Sequence, residues 1–383
     1  MPLPVFSLML VVFGLTTGEF VIAGLVPDVA ADLSVSVPSA GLLVTAYAAG
    51  MIIGGPVITP LTARVGRKPL ITGLVAVSVV ANLGSAVAPG YAVLLLARFV
   101  AGLIVATFFA LAISITAASA PEGKQAAMIA KVALGLNLGI ILGTPLGTFV
   151  GHHFGWRATF VAVAAITFLA LLLVLRFVPA FPGSDASVFG ELRVLADREV
   201  WRGIALTALG NLGVVTVFTY IVPLLTDVAG FSVDAVPVLL LVYGAGAVIG
   251  NLVGGRLADR ALMPSLAWML AALVGTLALL WAAGDNRVVV AVLVFVLGGL
   301  AFAIVPGMQT RVLTAAGAAP TLAVAVNASG FQLAAAFGGW LGGQLINGSG
   351  ISALYPAAAV VTVAGLGLAV AMLRSDQRVR VRG

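Results

Sequence analysis

The chain has 383 residues, of which 62% are apolar and 8% charged, with a formal net charge of +6 and no cysteine. An ordinary soluble domain carries roughly 25% charged residues, so this composition excludes a water-soluble fold and leaves no room for a large domain outside a membrane. The missing cysteines exclude disulfides, thiolate metal sites and cysteine nucleophiles. The basic residues lie in loops between apolar runs, where they read as topology signals and not as a nucleic-acid surface.

A charge at the centre of a spanning helix costs about 2.5–3.5 kcal/mol, so the gaps between charges mark the spans. Twelve are expected, near 4–26, 38–62, 69–88, 91–117, 126–151, 157–178, 202–226, 235–256, 263–283, 288–312, 320–346 and 351–373. The opening Met1-Pro2-Leu3-Pro4 has no basic stretch, which marks the first run as a retained span and not a signal peptide. An even number of spans puts the termini on one side. If that side is the cytoplasm, sixteen lysines and arginines face it and only Arg157 and Arg287 face outward, as the positive-inside rule requires.

Span 1 contains Glu19, the sole acid within the membrane by this map, nine residues below Asp28 at its outer end and so at about 13 Å depth by helical rise. Span 4 contains Arg98, seven residues below Tyr91 and so at about 10 Å in the same half of the bilayer. A carboxyl buried alone holds its proton, whereas a nearby guanidinium favours release. Moving Glu19 and Arg98 together or apart therefore predicts a site that binds and releases a proton. The alternative is a static ion pair, although ionisable groups inside a membrane are functional by default.

Span 5 carries Gly135, Gly139, Gly143, Gly147 and Gly151 at strict four-residue spacing, with Pro145 inside the ladder. Such a face lets helices approach closely in lipid, and the proline supplies a kink. The spacing predicts a sliding interface that lets two halves of the protein rock, with ordinary helix packing as the alternative. His152 and His153 follow at the outer face, but adjacent residues of a helix diverge, so no metal site is expected. Pro179–Val200 is the longest connection, in which Ser187–Arg198 has an amphipathic pattern through Val188, Leu192 and Leu195. It separates bundles 1–178 and 201–374, and 375–383 reads as a basic cytoplasmic tail.

An internal repeat relates the two bundles. Thr59–Arg64 follows span 2 and Gly255–Arg260 follows span 8, 196 residues later. Paired six-span halves around a midplane cavity are a transporter plan. Gly244–Gly250 has the wrong spacing and the wrong context for a dinucleotide site, so no cofactor is expected. Candidate lining groups are Tyr47, Phe108, Phe109, Asn137, Asn211, Tyr220, Tyr243, Asn251, Gln309, Asn327, Gln332 and Gln344, each equally suited to hydrogen bonding between helices.

Across essentially its whole length the chain resembles the major facilitator superfamily. Arg64-Val65-Gly66-Arg67-Lys68 is similar to the end of that family's loop motif between spans 2 and 3. Arg98 with Gly102 resembles its span-4 motif, and Gly143-Thr144-Pro145-Leu146-Gly147 resembles the motif of its antiporters. Thr17-Gly18-Glu19-Phe20, Gly155-Trp156-Arg157 and Thr310-Arg311-Val312-Leu313 resemble the drug:proton antiporter branch, which includes chloramphenicol, arabinose and purine-nucleoside exporters. There are departures: Thr59 and Ala63 stand where the family usually has Gly and Asp, while the second half keeps Gly255 and Asp259, followed by Arg260, but has Leu262-Met263 in place of the basic end. The resemblance implies an all-α membrane protein of twelve helices in two pseudo-symmetric six-helix bundles. It implies proton-coupled export of a small drug-like compound by alternating access, with a sugar or nucleoside exporter as the alternative and a membrane enzyme or receptor as a remote one. A monomer in the bacterial inner membrane is expected, with the lipid bilayer, substrate and protons as its only partners.

Overall fold

In lipid every backbone N–H and C=O must find a partner within its own segment, so long apolar runs become helices. A computed structural model of the chain describes residues 2–62, 64–119, 125–180, 197–284, 286–316 and 320–382, and among these no strand occurs. The chain divides into two compact units, Met1–Ser187 and Val188–Gly383.

The first unit comprises α1 (Leu3–Asp32), α2 (Val37–Leu61), α3 (Arg67–Ala86), α4 (Tyr91–Leu103), α5 (Val105–Ser119), α6 (Gln125–Leu138), α7 (Thr144–Phe154) and α8 (Trp156–Phe177). The second comprises α9 (Arg198–Thr219), the short α10 (Ile221–Pro223), α11 (Val236–Ala283), α12 (Arg287–Ala316), α13 (Pro320–Ser349) and α14 (Leu354–Arg382). Ten helical stretches are long and apolar enough to cross a membrane. Two spans share α11, joined at Ala261 with its non-helical φ of −154° and ψ of 81°, and α13 brings the number to twelve. Large apolar side chains such as Trp268 at 78% and Val288 at 76% exposure point at lipid and need no further cover.

The expected boundaries shift in several places. α1 continues through Asp28 to Asp32 with Pro27 inside it, so Asp28 belongs to the helix and not to a loop beyond it. Span 4 is interrupted between α4 and α5 at Ile104. Span 5 runs through α6 and α7 with a π-helical turn, Gly139–Gly143, between them. Pro145 has no N–H for the preceding turn, and a wider turn just upstream accommodates its ring. α14 runs to Arg382, so most of the expected tail is helix. The amphipathic segment read at Ser187–Arg198 lies almost wholly outside the described residues.

Within the first unit α1 packs against α2, α6, α7 and α8. Its Val5, Leu8, Val11, Val12 and Leu15 share a core with Ile71, Leu74, Phe108, Ile115 and Val174. The closest helix pair is α2 with α4. A Cβ at Gly54 would lie 2.6 Å from the Leu103 carbonyl carbon, and one at Gly102 would lie 2.9 Å from that of Tyr47.

The second unit repeats this contact. A Cβ at Gly250 would lie 2.5 Å from the Gly299 carbonyl carbon, and one at Gly298 would lie 2.9 Å from that of Tyr243. The partners match at the 196-residue offset: Tyr47 with Tyr243, Gly50 with Gly246, Gly54 with Gly250, Phe99 with Phe295 and Gly102 with Gly298. Thus the repeat seen in the loops extends through the packing of spans 2 and 4 and of spans 8 and 10.

Candidate functional site

Arg98 is wholly buried in α4, the first half of span 4. A buried guanidinium must be compensated, and α1 supplies the acceptors. Nη1 of Arg98 donates to the Gly18 carbonyl at 2.7 Å and Nη2 donates to the Glu19 carbonyl at 3.4 Å. The guanidinium carbon sits 4.4 Å from the centre of the Tyr47 ring and 5.7 Å from that of Phe160, within the range of cation–π attraction. Its Nε is buried with no hydrogen-bond partner among the described residues.

Glu19 is half-buried, and its carboxyl lies close enough to Arg98 and Tyr47 to interact electrostatically with each. The acid and base expected at similar depth therefore meet at one level of one bundle. Sequence reasoning passed over two residues that frame this level, Phe160 and Asn82. Asn82 is buried and donates to the Ser78 carbonyl at 2.8 Å, and a Cβ at Gly18 would touch its Oδ1 at 3.5 Å. An asparagine in mid-span was a readable signal; a phenylalanine among 19 was not.

The five glycines of span 5 all face α1. A Cβ at Gly135 would lie 2.9 Å from Val12, at Gly139 2.7 Å from Thr16, at Gly143 2.9 Å from Thr17 and at Gly147 2.6 Å from Val21, while Gly151 meets Leu25. The groove they form is filled from within the first unit. Its partner is the helix that carries Glu19, in the same unit, so the ladder sets how closely that helix seats. Pro145 and the π turn lie in the middle of this contact.

Beyond Gly151 the same face of α1 presents Asp28, whose Oδ2 lies 2.9 Å from Nδ1 of His152. One turn further, Asp32 accepts from Trp156 Nε1 at 3.0 Å and from Arg157, which also donates to the Ala88 carbonyl at 3.2 Å and stacks at 4.2 Å on Trp156. Gly155-Trp156-Arg157 is thus a knot joining α1, the α3–α4 turn and α8. Among the described residues no cluster could hold a metal ion.

In the second unit several candidate lining residues are committed to internal bonds. Asn327 Oδ1 accepts from Thr207 at 2.5 Å, Asn211 donates to the Thr207 carbonyl at 2.8 Å, and the Tyr220 hydroxyl donates to the Gly339 carbonyl at 2.7 Å. Tyr243 stacks on Phe218 at 4.9 Å, and Gln332 is buried. In the first unit Phe108 belongs to the core, whereas Phe109 and Asn137 are half-buried. Arg311 joins three helices of the second unit, bonding Asp376 at 3.1 and 3.2 Å and Glu199 at 3.1 Å, while Arg202 also pairs with Glu199.

Of the loop motif, Arg64 is exposed, Gly66 caps α3, and Arg67 and Lys68 open it half-buried. Gly255 lies in helical α11, and Asp259 and Arg260 are exposed just before the Ala261 break. Ser265 spans that break by donating to the Leu257 carbonyl at 2.9 Å. Ala63 lies outside the described residues.

The sequence profile of the Major Facilitator Superfamily matches residues 8–321. The chain is 34% identical to the inner membrane transport protein YdhP of Escherichia coli over 366 residues, covering 95% of this chain and 94% of that one. It is 37% identical to a chloramphenicol resistance protein of Streptomyces lividans over 346 residues, 88% of either chain. A crystal structure of a bacterial homologue of the lysosomal transporter Spinster superposes with a TM-score of 0.73 at 18% identity, over 96% of this chain and 94% of that one, which shows a shared fold.

Proposed function

This chain belongs to the Major Facilitator Superfamily of membrane transporters, and on that premise we propose that it exports a small, partly apolar compound in exchange for protons, by alternating access. The observation that supports this most is the buried contact of Arg98 with the backbone of Glu19, beside the carboxyl that Glu19 carries into the bilayer. Glu19 is the proton carrier and Arg98 its modulator. A carboxyl loses its proton more readily as a guanidinium nears, so relative motion of α1 and α4 couples protonation to conformation. Each proton moving inward across 100 mV supplies about 2.3 kcal/mol.

The relative named for chloramphenicol resistance supports a drug-like cargo. Phe109, Asn137 and Asn251, which are half-buried, are candidates to meet it, and the motifs at Arg64–Lys68 and Gly255–Arg260 serve gating. The distribution of lysine and arginine among the loops supports cytoplasmic termini in a bacterial cell.

The test uses everted membrane vesicles with an imposed pH gradient and labelled chloramphenicol. Wild type accumulates the compound, and Glu19→Gln does not while remaining in the membrane at the same level. Gradient-driven uptake at the wild-type rate by Glu19→Gln would refute the coupling role. Uptake of a nucleoside or sugar in place of chloramphenicol would change the cargo and leave the coupling intact.

A further inference from the structure

We propose that Tyr47 is a positioning residue for Arg98: its ring face holds the guanidinium on the backbone of α1 and off the Glu19 carboxylate. This deepens the proton-coupled reading and rests on it. It also reassigns Tyr47, which the sequence offered as a substrate contact.

Three observations carry it. First, Tyr47 and Arg98 ride on the most closely seated helix pair of their unit. A Cβ at Gly102 would lie 2.9 Å from the Tyr47 carbonyl carbon and 3.2 Å from the Met51 nitrogen. Ring and guanidinium are thus held 4.4 Å apart by the seating of α2 on α4. Secondly, both side chains read one stripe of α1. The Tyr47 hydroxyl donates to the Leu15 carbonyl at 3.3 Å and Arg98 donates to those of Gly18 and Glu19, positions i, i+3 and i+4 of one helix face. Thirdly, the second unit holds the same tyrosine without the ion. Tyr243, buried at the matching place, stacks on Phe218 at 4.9 Å, and Val294 stands 196 residues after Arg98. A tyrosine that packs on its own bundle in both units belongs to the scaffold, and in the first unit the scaffold carries a cation.

The consequence is a choice for Arg98 between the ring with two carbonyls and the Glu19 carboxylate. With the ring removed, the guanidinium pairs with the carboxylate and keeps it ionised to lower pH. The other charged groups on helices packed against α1 lie away from this level, at helix ends except for Lys131, which sits in α6 two turns before Gly139, the glycine that meets Thr16. They are Arg67 and Lys68 on α3, Lys131 on α6, His152 and His153 on α7, and Arg157 and Arg176 on α8, with Asp28 and Asp32 at the end of α1 itself.

The test reconstitutes the full chain in liposomes and follows chloramphenicol exchange against pH on the proton-donating side. Tyr47→Leu moves the half-maximal pH about one unit towards acid, the shift expected from losing one desolvated cation–π contact. Tyr47→Phe, which keeps the ring, retains the wild-type midpoint, and Phe160→Leu, with its ring at 5.7 Å, gives a smaller shift. If Tyr47→Leu does not yield folded protein, Tyr47→Met serves, since it fills the space without a ring. A wild-type midpoint in the ringless variant overturns the inference, as does an equal shift in Tyr47→Phe. The two levels separate cleanly: an active Glu19→Gln sinks the coupling role, whereas an inactive Glu19→Gln with an unshifted Tyr47→Leu sinks only the positioning role.

Discussion

Adding one methyl group at Gly54 tests how tightly α2 seats on α4. The new Cβ would lie 2.6 Å from the Leu103 carbonyl carbon and 2.8 Å from its Cα. Ordinary carbon contacts begin near 3.5 Å, and a backbone atom cannot swing away as a side-chain tip can. The helices must part by about an ångström along this contact, and such a gap forfeits a quarter to a half of each neighbouring dispersion well. Overpacking of this kind costs about 1–3 kcal/mol. The matched control is Gly73→Ala, because nothing lies within 4 Å of a Cβ there. In a helix interior alanine is favoured over glycine by about 0.5–1 kcal/mol, so the control is neutral or slightly stabilising. Each variant is heated in detergent and the monodisperse fraction is read by size-exclusion chromatography, which reports an apparent midpoint because unfolding is irreversible. Gly54→Ala should melt several degrees below Gly73→Ala. Coincident midpoints would refute the argument from close backbone approach.

Gly250→Ala, with its Cβ 2.5 Å from the Gly299 carbonyl carbon, should show the same loss in the second unit; a normal melt there with a lowered one for Gly54→Ala would break the equivalence of the repeats. Arg98→Lys keeps the charge but loses the planar fork that reaches two carbonyls, so export should fall at least tenfold, measured in the everted vesicles at equal membrane content. Thr207→Val leaves Asn327 Oδ1 without the donor it has at 2.5 Å, at about 1–3 kcal/mol. The Thr207→Val/Asn327→Leu double variant should recover part of that loss, a coupling that the melting assay can read as a cycle.

The twelve spans were legible because a charge in lipid is expensive, so the gaps between charges are the spans. Their ends were less legible for a related reason. Asp28 and Asp32 each find a partner, in His152 and in Arg157 with Trp156, and α1 continues past them. Asp376 reads as a residue of a polar tail, yet it bonds Arg311 from within helical α14. Glu19 and Arg98 were legible as a pair, since each interrupts an apolar run at a similar depth. What surrounds them was not: Phe160 and Asn82 approach from other helices, and spacing along one helix says nothing of that. The polar residues misled most, because Asn211, Tyr220 and Asn327 are spent on bonds inside their own bundle, and a sequence cannot tell a lining asparagine from a bridging one.

Comparing the two units bears on why only the first carries charged side chains at the level of Glu19 and Arg98. Spans 5 and 11 correspond at an offset of 195, which aligns Gly143 with Gly338 and Gly147 with Gly342. These glycines seat Thr17 and Val21 in the first unit, and Thr216 and Tyr220 in the second. The first span of each unit therefore corresponds at 199, and Glu19 corresponds to Phe218. So the first unit places Glu19, Tyr47 and Arg98 where the second places Phe218, Tyr243 and Val294. The tyrosine is common, and the ions on its two sides have apolar counterparts. Burying charged groups is rarely a gain in stability, and the second unit shows that this scaffold packs without them at this level. The charges in the first unit are therefore not required for this scaffold to pack, which supports the proposed role of Glu19 and Arg98 in proton coupling. Replacing the two charged residues by their counterparts, Glu19→Phe and Arg98→Val with Tyr47 kept, should accordingly give a protein at least as heat-stable as wild type that moves no substrate against its gradient. A folded double variant that still accumulates chloramphenicol in energised vesicles would leave Glu19 and Arg98 without a role in coupling.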